Sequence, residues 1–302
     1  MRTTTVVVLV LLMAGLAAAQ TMIPIPAFSR TYSATMTRGM YCEVPIDFTV
    51  VGLRVPDETN NGKQNVCLYK HTSAPPAYSG TVPLTPVFSK FGEPSANIIP
   101  CCEGFTKGEF MIVLGACGDS SRLHNSYSAS TAFPTTILGA ATTLYRCGTQ
   151  NNIITLAPPH PIWSEASSIC RVEVYVSGVT ITGAGTPNPG GTIKFALSAP
   201  TDGGLPYQVA SSFGNGPIPI DKRQICLSPD PLFFLSVLGL VPGTFQNYVG
   251  KLDNQGLGSA AVDIPNLPIL KGIRIYTAFV TQLSTAPSGI ASISNSFLFT
   301  IT

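Results

Sequence analysis

Apolar and polar positions alternate with a period of two along most of this chain. The pattern is cleanest over 169–176. There Cys170, Val172, Val174 and Val176 take one side, and Arg171, Glu173 and Tyr175 take the other. Successive side chains of a strand point to opposite faces, so this reads as a half-buried strand. Residues 48–55 and 64–70 read as two more strands, paired through 56–63, where Asn61-Gly62 suits a positive-φ turn. Segment 109–116 is apolar on both sides, as in a central sandwich strand, and 142–147 reads as another strand. After residue 176 a turn-rich stretch, 183–191, leads to strands predicted at 192–197, 207–213, 232–240, 246–252, 260–264, 273–283 and 290–301. The run 232–241 (LFFLSVLGLV) falls well short of the ~20 residues a membrane helix needs. Between Pro231 and Pro242 it reads as a buried strand. No helix of ten residues is predicted, and 128–143, interrupted by Pro134, is the one ambiguous stretch.

Many short strands with turns between them predict an all-β protein built of two β-sandwich domains. The expected division is a signal peptide at 1–19, a jelly-roll or lectin-like domain at 20–176 and an immunoglobulin-like domain at 177–302.

Composition narrows the function classes. Charged residues are 11% of the chain, against roughly 25% in an ordinary domain. Gly (28) and Pro (26) are abundant and scattered, which opposes long helices. A hydrophobic share of 45% excludes intrinsic disorder, because enough surface can be buried to offset ordering entropy. A net charge of +2 gives no basic field for nucleic acid. Arg2, the apolar run 6–16 and Ala17, Ala18 and Ala19 form a secretory signal pattern with cleavage before Gln20. Export is therefore expected, to the extracellular space, the cell surface or a periplasm, with no membrane span.

Export makes disulfides the default for Cys42, Cys67, Cys101, Cys102, Cys117, Cys147, Cys170 and Cys226. Eight cysteines allow 105 pairings. Seven precede residue 177 and one follows it, so with two separate domains at least one cysteine is free or bridges between them. Adjacent Cys101 and Cys102 are expected to bond to different partners. There is no C-x-x-C pair, and His71, His124 and His160 are dispersed, so no metal or other cofactor is predicted.

The segments RGMYCEVPIDFTVVGLRVP (38–56), IVLGA (112–116), HNSYS (124–128), TLYRCGTQNN (143–152) and SSICRVEVYV (167–176) resemble the N-terminal domain of secreted proteins from planctomycete-like bacteria. GLPYQVASSFGNGPIPID (204–221), LSPDPLF (227–233), GKLDNQG (250–256), IPNLPILKGIRIYTAFV (264–280) and PSGIASISN (287–295) resemble a domain at the C-terminus of such proteins. The resemblance implies export and β-sandwich domains. It transfers no catalytic or binding residue. The absence of an Asn-x-Ser/Thr sequon also favours a bacterial source.

Candidate chemistry is sparse. Gly118-Asp119-Ser120 resembles the nucleophile segment of chymotrypsin-like proteases, but Ser121 replaces the glycine that should follow. With His124 close by, a strand-end turn is the simpler reading, since a triad is defined by geometry. The acids Glu43, Asp47, Asp119, Glu165 and Glu173 contain no evident catalytic pair. Asp253-Asn254-Gln255-Gly256 lacks the alternating oxygen ligands of a calcium loop and reads as a turn. Trp163, the lone tryptophan, could form an aromatic platform with Tyr127, Tyr145, Asn125, His124 and Gln150. Such a platform stacks on the apolar face of a pyranose, and amides bond its edges; packing of Trp163 in the core or a domain interface is the favoured reading, and the cluster is the best hypothetical binding site. The expectation is a non-catalytic binding or structural protein of the cell surface or matrix, with glycans or surface polymers as partners. Self-association is a further partner class. The alternatives are a secreted glycoside-directed hydrolase and a self-assembling envelope component.

Overall fold

The computed structural model describes residues 21–221 and 223–302. The expected signal peptide, 1–19, lies outside the described residues. The chain is all-β, with one short α-helix, Pro231–Val237, and two 3₁₀ turns among the described residues.

Residues 21–177 build two sheets. The smaller has the order Thr21–Met22, Glu173–Ser177, Phe48–Arg54, Ile99–Phe105. The larger runs Phe28–Ala34, Leu123–Ser128, Phe110–Gly118, Thr37–Glu43, Ala140–Thr149, His160–Ser164, Val82–Leu84. Lys63–His71 also pairs with Phe110–Gly118, and Phe88–Pro94 pairs with Lys63–His71. Phe48, Leu53, Val172 and Val174 from the smaller-sheet side meet Met40, Val66, Met111 and Val113 from the larger in one buried cluster. Each such side chain contributes roughly 1.5–3 kcal/mol on burial. The inward set predicted for 169–176 is correct: Cys170, Val172, Val174 and Val176 are all fully buried.

One predicted pairing is corrected. Phe48–Arg54 and Lys63–His71 are not partners; they belong to different sheets. The turn between them carries the chain from one sheet to the other. Asp57 fixes it, its carboxylate accepting from Asn61 N (2.9 Å), Gly62 N (2.8 Å) and Ser95 Oγ (2.7 Å). Gly62, at φ +76°, supplies the left-handed residue. The ambiguous stretch is a hairpin: Ala132–Ile137 pairs with Ala140–Thr149 around Leu138-Gly139, both at positive φ.

Residues 180–300 build a second pair of sheets. Thr180–Gly185, Thr192–Ser198, Leu257–Asp263 and Phe245–Gln246 form one. Val249–Lys251, Pro206–Ser212, Arg274–Gln282 and Ile290–Ile293 form the other, with Phe297–Thr300 also on Arg274–Gln282. Phe195, Val209, Val262 and Phe279 fill the space between them. The predicted strand 290–301 is split by 294–296, and 246–252 is broken at Asn247, whose φ is +53°.

The predicted buried strand at 232–240 is also corrected. It is the helix Pro231–Val237 and the loop after it, with Phe234, Leu235, Leu238 and Leu240 exposed. Asp230 caps the helix by accepting from Phe233 N at 3.0 Å, and Pro231 suits the first turn. An uninterrupted apolar run carries no period, so pattern alone does not separate helix from strand.

No ladder joins a strand before residue 178 to one after it among the described residues. Side chains and one covalent bond do. Cys102, on Ile99–Phe105, is disulfide-bonded to Cys226, 124 residues away. Thr49 Oγ1 donates to Val179 O at 2.8 Å. Asn295 brackets Ile181, accepting from its N and donating to its O, and packs on Gly104, where a Cβ would lie 2.7 Å from its Nδ2.

Candidate functional site

The six residues expected to form a binding surface do not share one. Trp163 (2% exposed) and Tyr127 (3%) are buried, so neither offers a ring face to a ligand; the hypothetical platform is corrected, and Trp163 packs in the interior, as the favoured reading had it. Asn125 is fully buried; its Oδ1 accepts from Arg38 N at 2.8 Å and its Nδ2 donates to Met36 O at 3.0 Å. His124 is half-buried, with Nδ1 2.7 Å from Ser33 Oγ. Tyr145 is exposed and lies against Tyr41, at 5.5 Å between ring centroids. Gln150 is exposed; its Oε1 accepts from Arg38 Nη2 at 3.1 Å and its Nε2 donates to Tyr78 Oη at 2.9 Å.

What surrounds Trp163 is a stack of cations and rings. Arg38 and Trp163 both pair with Gly148, so the three lie in one row across adjacent strands. A Cβ on Gly148 would come within 2.6 Å of Arg38 Cδ, so glycine leaves the room that lets the guanidinium reach the indole. Arg38 Cζ is 4.7 Å from the Trp163 ring centroid, and Arg146 Cζ is 5.8 Å from it. Arg146 also lies 5.4 Å from the Tyr127 ring, and Arg30 lies 5.9 Å from that ring. Tyr78 meets Trp163 edge-on at 5.0 Å. Desolvated cation–π contacts of this kind contribute up to about 2 kcal/mol each. Burial lowers the Arg38 pKa from its ordinary value and pushes the Tyr127 hydroxyl up to about 12. Glu165 pairs with Arg146 at 3.3 Å. Arg38 Nε, Arg146 Nε and Trp163 Nε1 are buried donors without a hydrogen-bond partner.

The cysteines divide differently from the expectation. Only Cys102 and Cys226 are bonded; Cys42, Cys67, Cys101, Cys117, Cys147 and Cys170 are free and buried. Cys101 therefore has no bonded partner beside its neighbour Cys102. Sheet geometry accounts for several non-pairings. Cys42, Cys101 and Cys117 join the cluster between the two sheets, whereas Cys67 and Cys147 belong to a cluster on the opposite face of the larger sheet. Cys67, Leu114, Gly39 and Cys147 form one row. Three strand spacings put Cys67 and Cys147 about 14 Å apart, twice the reach of a disulfide. Burial pushes the thiols of Cys42, Cys67 and Cys170 up to about 12, which makes them poor nucleophiles.

The protease-like segment is a turn. Asp119 Oδ1 accepts from Ser121 N (2.9 Å), Ser121 Oγ (2.6 Å) and Arg122 N (3.3 Å). The carboxylate is committed to its own loop, and His124 is held by Ser33 instead. Asp253 is used in the same way, accepting from Gln255 N and Leu257 N.

A large concavity lies elsewhere, beside the disulfide. A cleft of about 920 Å³ opens between the edge strand Ile99–Phe105 and the edge strand Ile290–Ile293, and the hairpin Ile218–Ile220/Arg223–Ile225 contributes Arg223 and Gln224 to its wall. Asn97, Ser177 and Gln224 bring polar side chains to it, Ser292 and Ser294 line it with their hydroxyls buried, and Ile98, Ile99 and Ile293 bring apolar surface. Ser292 Oγ is buried without a partner. Arg223 is anchored by Asp221 and by the carbonyls of Ile290 and Ala291. A smaller cavity of about 270 Å³ shares Glu93, Ile99, Pro100, Cys102 and Gln224 with the cleft and adds Lys90 and Glu103. Burial raises the Glu103 carboxyl above its ordinary range, against the opposing pull of Lys70.

The sequence reading missed Arg38, Arg146 and Tyr78, and of the cleft it named only Cys101 and Cys102, as disulfide candidates. Arg38 did leave a signal: it shares the strand face of Met40 and Cys42, which the period of two turns inward. The cleft left none, because strands distant in sequence line it. No family model, curated protein or solved structure matches the chain.

Proposed function

We propose that this is a secreted, non-catalytic binding protein of the cell surface or extracellular matrix. On this reading it consists of two β-sandwich units, 20–176 and 177–302, and takes a glycan chain in the cleft beside Cys102–Cys226. The observation that carries the reading is the cleft itself. Its volume is that of a ligand pocket, and it is lined by polar side chains and isoleucines together, the mixture a sugar presents in return. The signal-like residues 2–19 and the disulfide support export. The binding surface thus moves from the Trp163 group to the junction of the two halves. A glycan-array screen of the purified protein, alongside the Asn97→Ala/Ser292→Val variant, tests it. Specific binding lost in the variant supports the reading. No binding to any glycan removes it and leaves a structural role.

One observation favours a second reading, a glycoside-directed hydrolase. Glu93 and Glu103 line the same small cavity, and Glu103 has the raised pKa a general acid needs. Hydrolysis of a bound oligosaccharide, abolished by Glu103→Gln with binding retained, would establish it.

A further inference from the structure

The end of the second sheet pair farthest along Pro206–Ser212 carries an apolar surface that is exposed among the described residues. Three connections place its parts together. Thr302 N donates to Pro187 O, which joins the end of the five-stranded sheet to the turn of the four-stranded one. Asp263 N donates to Thr244 O, bringing the loop that follows the helix to the same edge. Residues 264–272 then cross from Leu257–Asp263 to Arg274–Gln282, and Gly272 N donates to Ile301 O.

Two elements at this end are each anchored by one leucine and point others outward. Leu232 and Leu270 pack on the second core. On the helix, Leu232, Phe233, Ser236 and Val237 face inward at helical spacing, and Phe234, Leu235 and Leu238 face solvent. Leu238 is 64% exposed and Ile269, on the second element, 85%; Leu240 and Leu267 are exposed beside them. Residues 231–250 contain no charged side chain. The charges that do occur at this end are sorted. Asp230 and Asp263 are half-buried and hydrogen-bonded, to Phe213 N and Phe233 N and to Thr192 Oγ1 and Gln246 Nε2 respectively. Lys271 and Arg274 are exposed and form no ion pair among the described residues.

We propose that this end docks on a lipid bilayer surface, with Leu238, Leu240 and Ile269 entering the headgroup boundary and Lys271 and Arg274 meeting anionic headgroups. Separate apolar tips with a cationic rim fit an interface whose outer layer is polar and negative and whose next layer is hydrocarbon. A protein partner of ordinary composition would not require the acids to be turned inward while the cations stay free. The proposal is independent of the glycan cleft.

Vesicle flotation of the full chain tests it, with phosphatidylcholine alone and with phosphatidylcholine containing phosphatidylglycerol. The protein should float with the mixed vesicles, and Leu238→Ser/Leu240→Ser/Ile269→Ser should weaken binding by roughly tenfold or more. Lys271→Gln/Arg274→Gln should weaken it about fivefold per cation on mixed vesicles only. All of these side chains except that of Arg274, which lies over Tyr276, are exposed tips, and circular dichroism establishes that each variant is folded. Failure to float with either vesicle overturns the proposal. So does flotation that the apolar variant leaves unchanged. A dimer that this variant converts to monomer, without vesicle binding by the parent, overturns it in favour of a second copy of the chain as the occupant.

Discussion

Arg38 Cζ lies 4.7 Å from the centre of the Trp163 ring, and the residue between them in the strand row is Gly148. The contact depends on what Gly148 lacks. Arg38 is a buried cation with no ion pair among the described residues; its guanidinium bonds to the Thr37 and Thr149 carbonyls and to Gln150. The indole face supplies the remaining negative potential.

Gly148→Ala should therefore destabilise the protein. The new methyl would meet Arg38 Cδ at 2.6 Å and Thr37 O at 3.1 Å. Overfilling of a packed interior costs about 1–3 kcal/mol. Denaturant unfolding followed by Trp163 fluorescence reads both the stability loss and the altered ring environment. A variant as stable as the parent, with an unchanged spectrum, would show that the stack does not depend on this glycine.

The thiols give a count. The native protein should be inert to a thiol reagent at pH 8, because all six free cysteines are buried and their thiols are pushed upward in pKa. Denaturation without reductant should expose six thiols, and reduction should bring the total to eight. Reduction of Cys102–Cys226, which spans 124 residues, should lower stability by about 2–4 kcal/mol. Eight thiols in the unreduced, denatured protein would refute the bond.

These two regions show how far the sequence could be read. Alternation at Val172, Val174 and Val176 was legible because one face of that strand meets the core and the other does not. The sheet assignment of 64–70 was not. A turn around Asn61-Gly62 looks the same in sequence whether the chain doubles back or crosses to the facing sheet. The crossing rests on Asp57 reaching Ser95, a long-range contact. Trp163 was singled out for its rarity, yet rarity does not say which way a ring points. Its place on the face of Arg38 does, through the pairing of both with Gly148. The cleft was illegible for a simpler reason: its walls are edge strands about 190 residues apart in sequence.

Asp57 should make stability depend on pH. Burial alone would raise its carboxyl, but the Asn61, Ser95 and Gly62 donors outweigh burial and hold it below its ordinary value. A carboxylate depressed in the folded state stabilises that state above its unfolded pKa of about 3.9. The contribution is lost as pH falls through the folded pKa. At neutral pH it is of order 1 kcal/mol once solvent screening is allowed for. Asp57→Asn should therefore be less stable than the parent at pH 7 and should converge towards it below pH 4. Parallel curves across that range would show that the turn does not draw on the charge.

Ser236 stands where a neighbouring strand would. Pro206–Ser212 is paired on one side by Val249–Lys251 as far as Gln208, and Val209 N then donates to Tyr248 O. Beyond that point the edge would be bare, and an unpaired buried amide costs about 1–3 kcal/mol. Ser236 Oγ closes it. It accepts from Ser211 N at 2.9 Å, and its one proton lies between the carbonyl oxygens of Ser211 (3.2 Å) and Phe233 (2.9 Å). Ser236 is 1% exposed, so water does not readily replace its hydroxyl. Ser236→Ala should cost about 1–3 kcal/mol in global stability. It should also loosen the helix before the rest of the sheet. Hydrogen exchange separates the two effects: the amides of Ser211 and of the helix turn at Phe234 and Leu238 should lose protection first, while those of Val209 and Phe279 keep it. Uniform loss across all of these amides would mean that the helix is not held to the edge by this hydroxyl, and the apolar face it carries would then owe its position to the packing of Leu232, Phe233 and Val237.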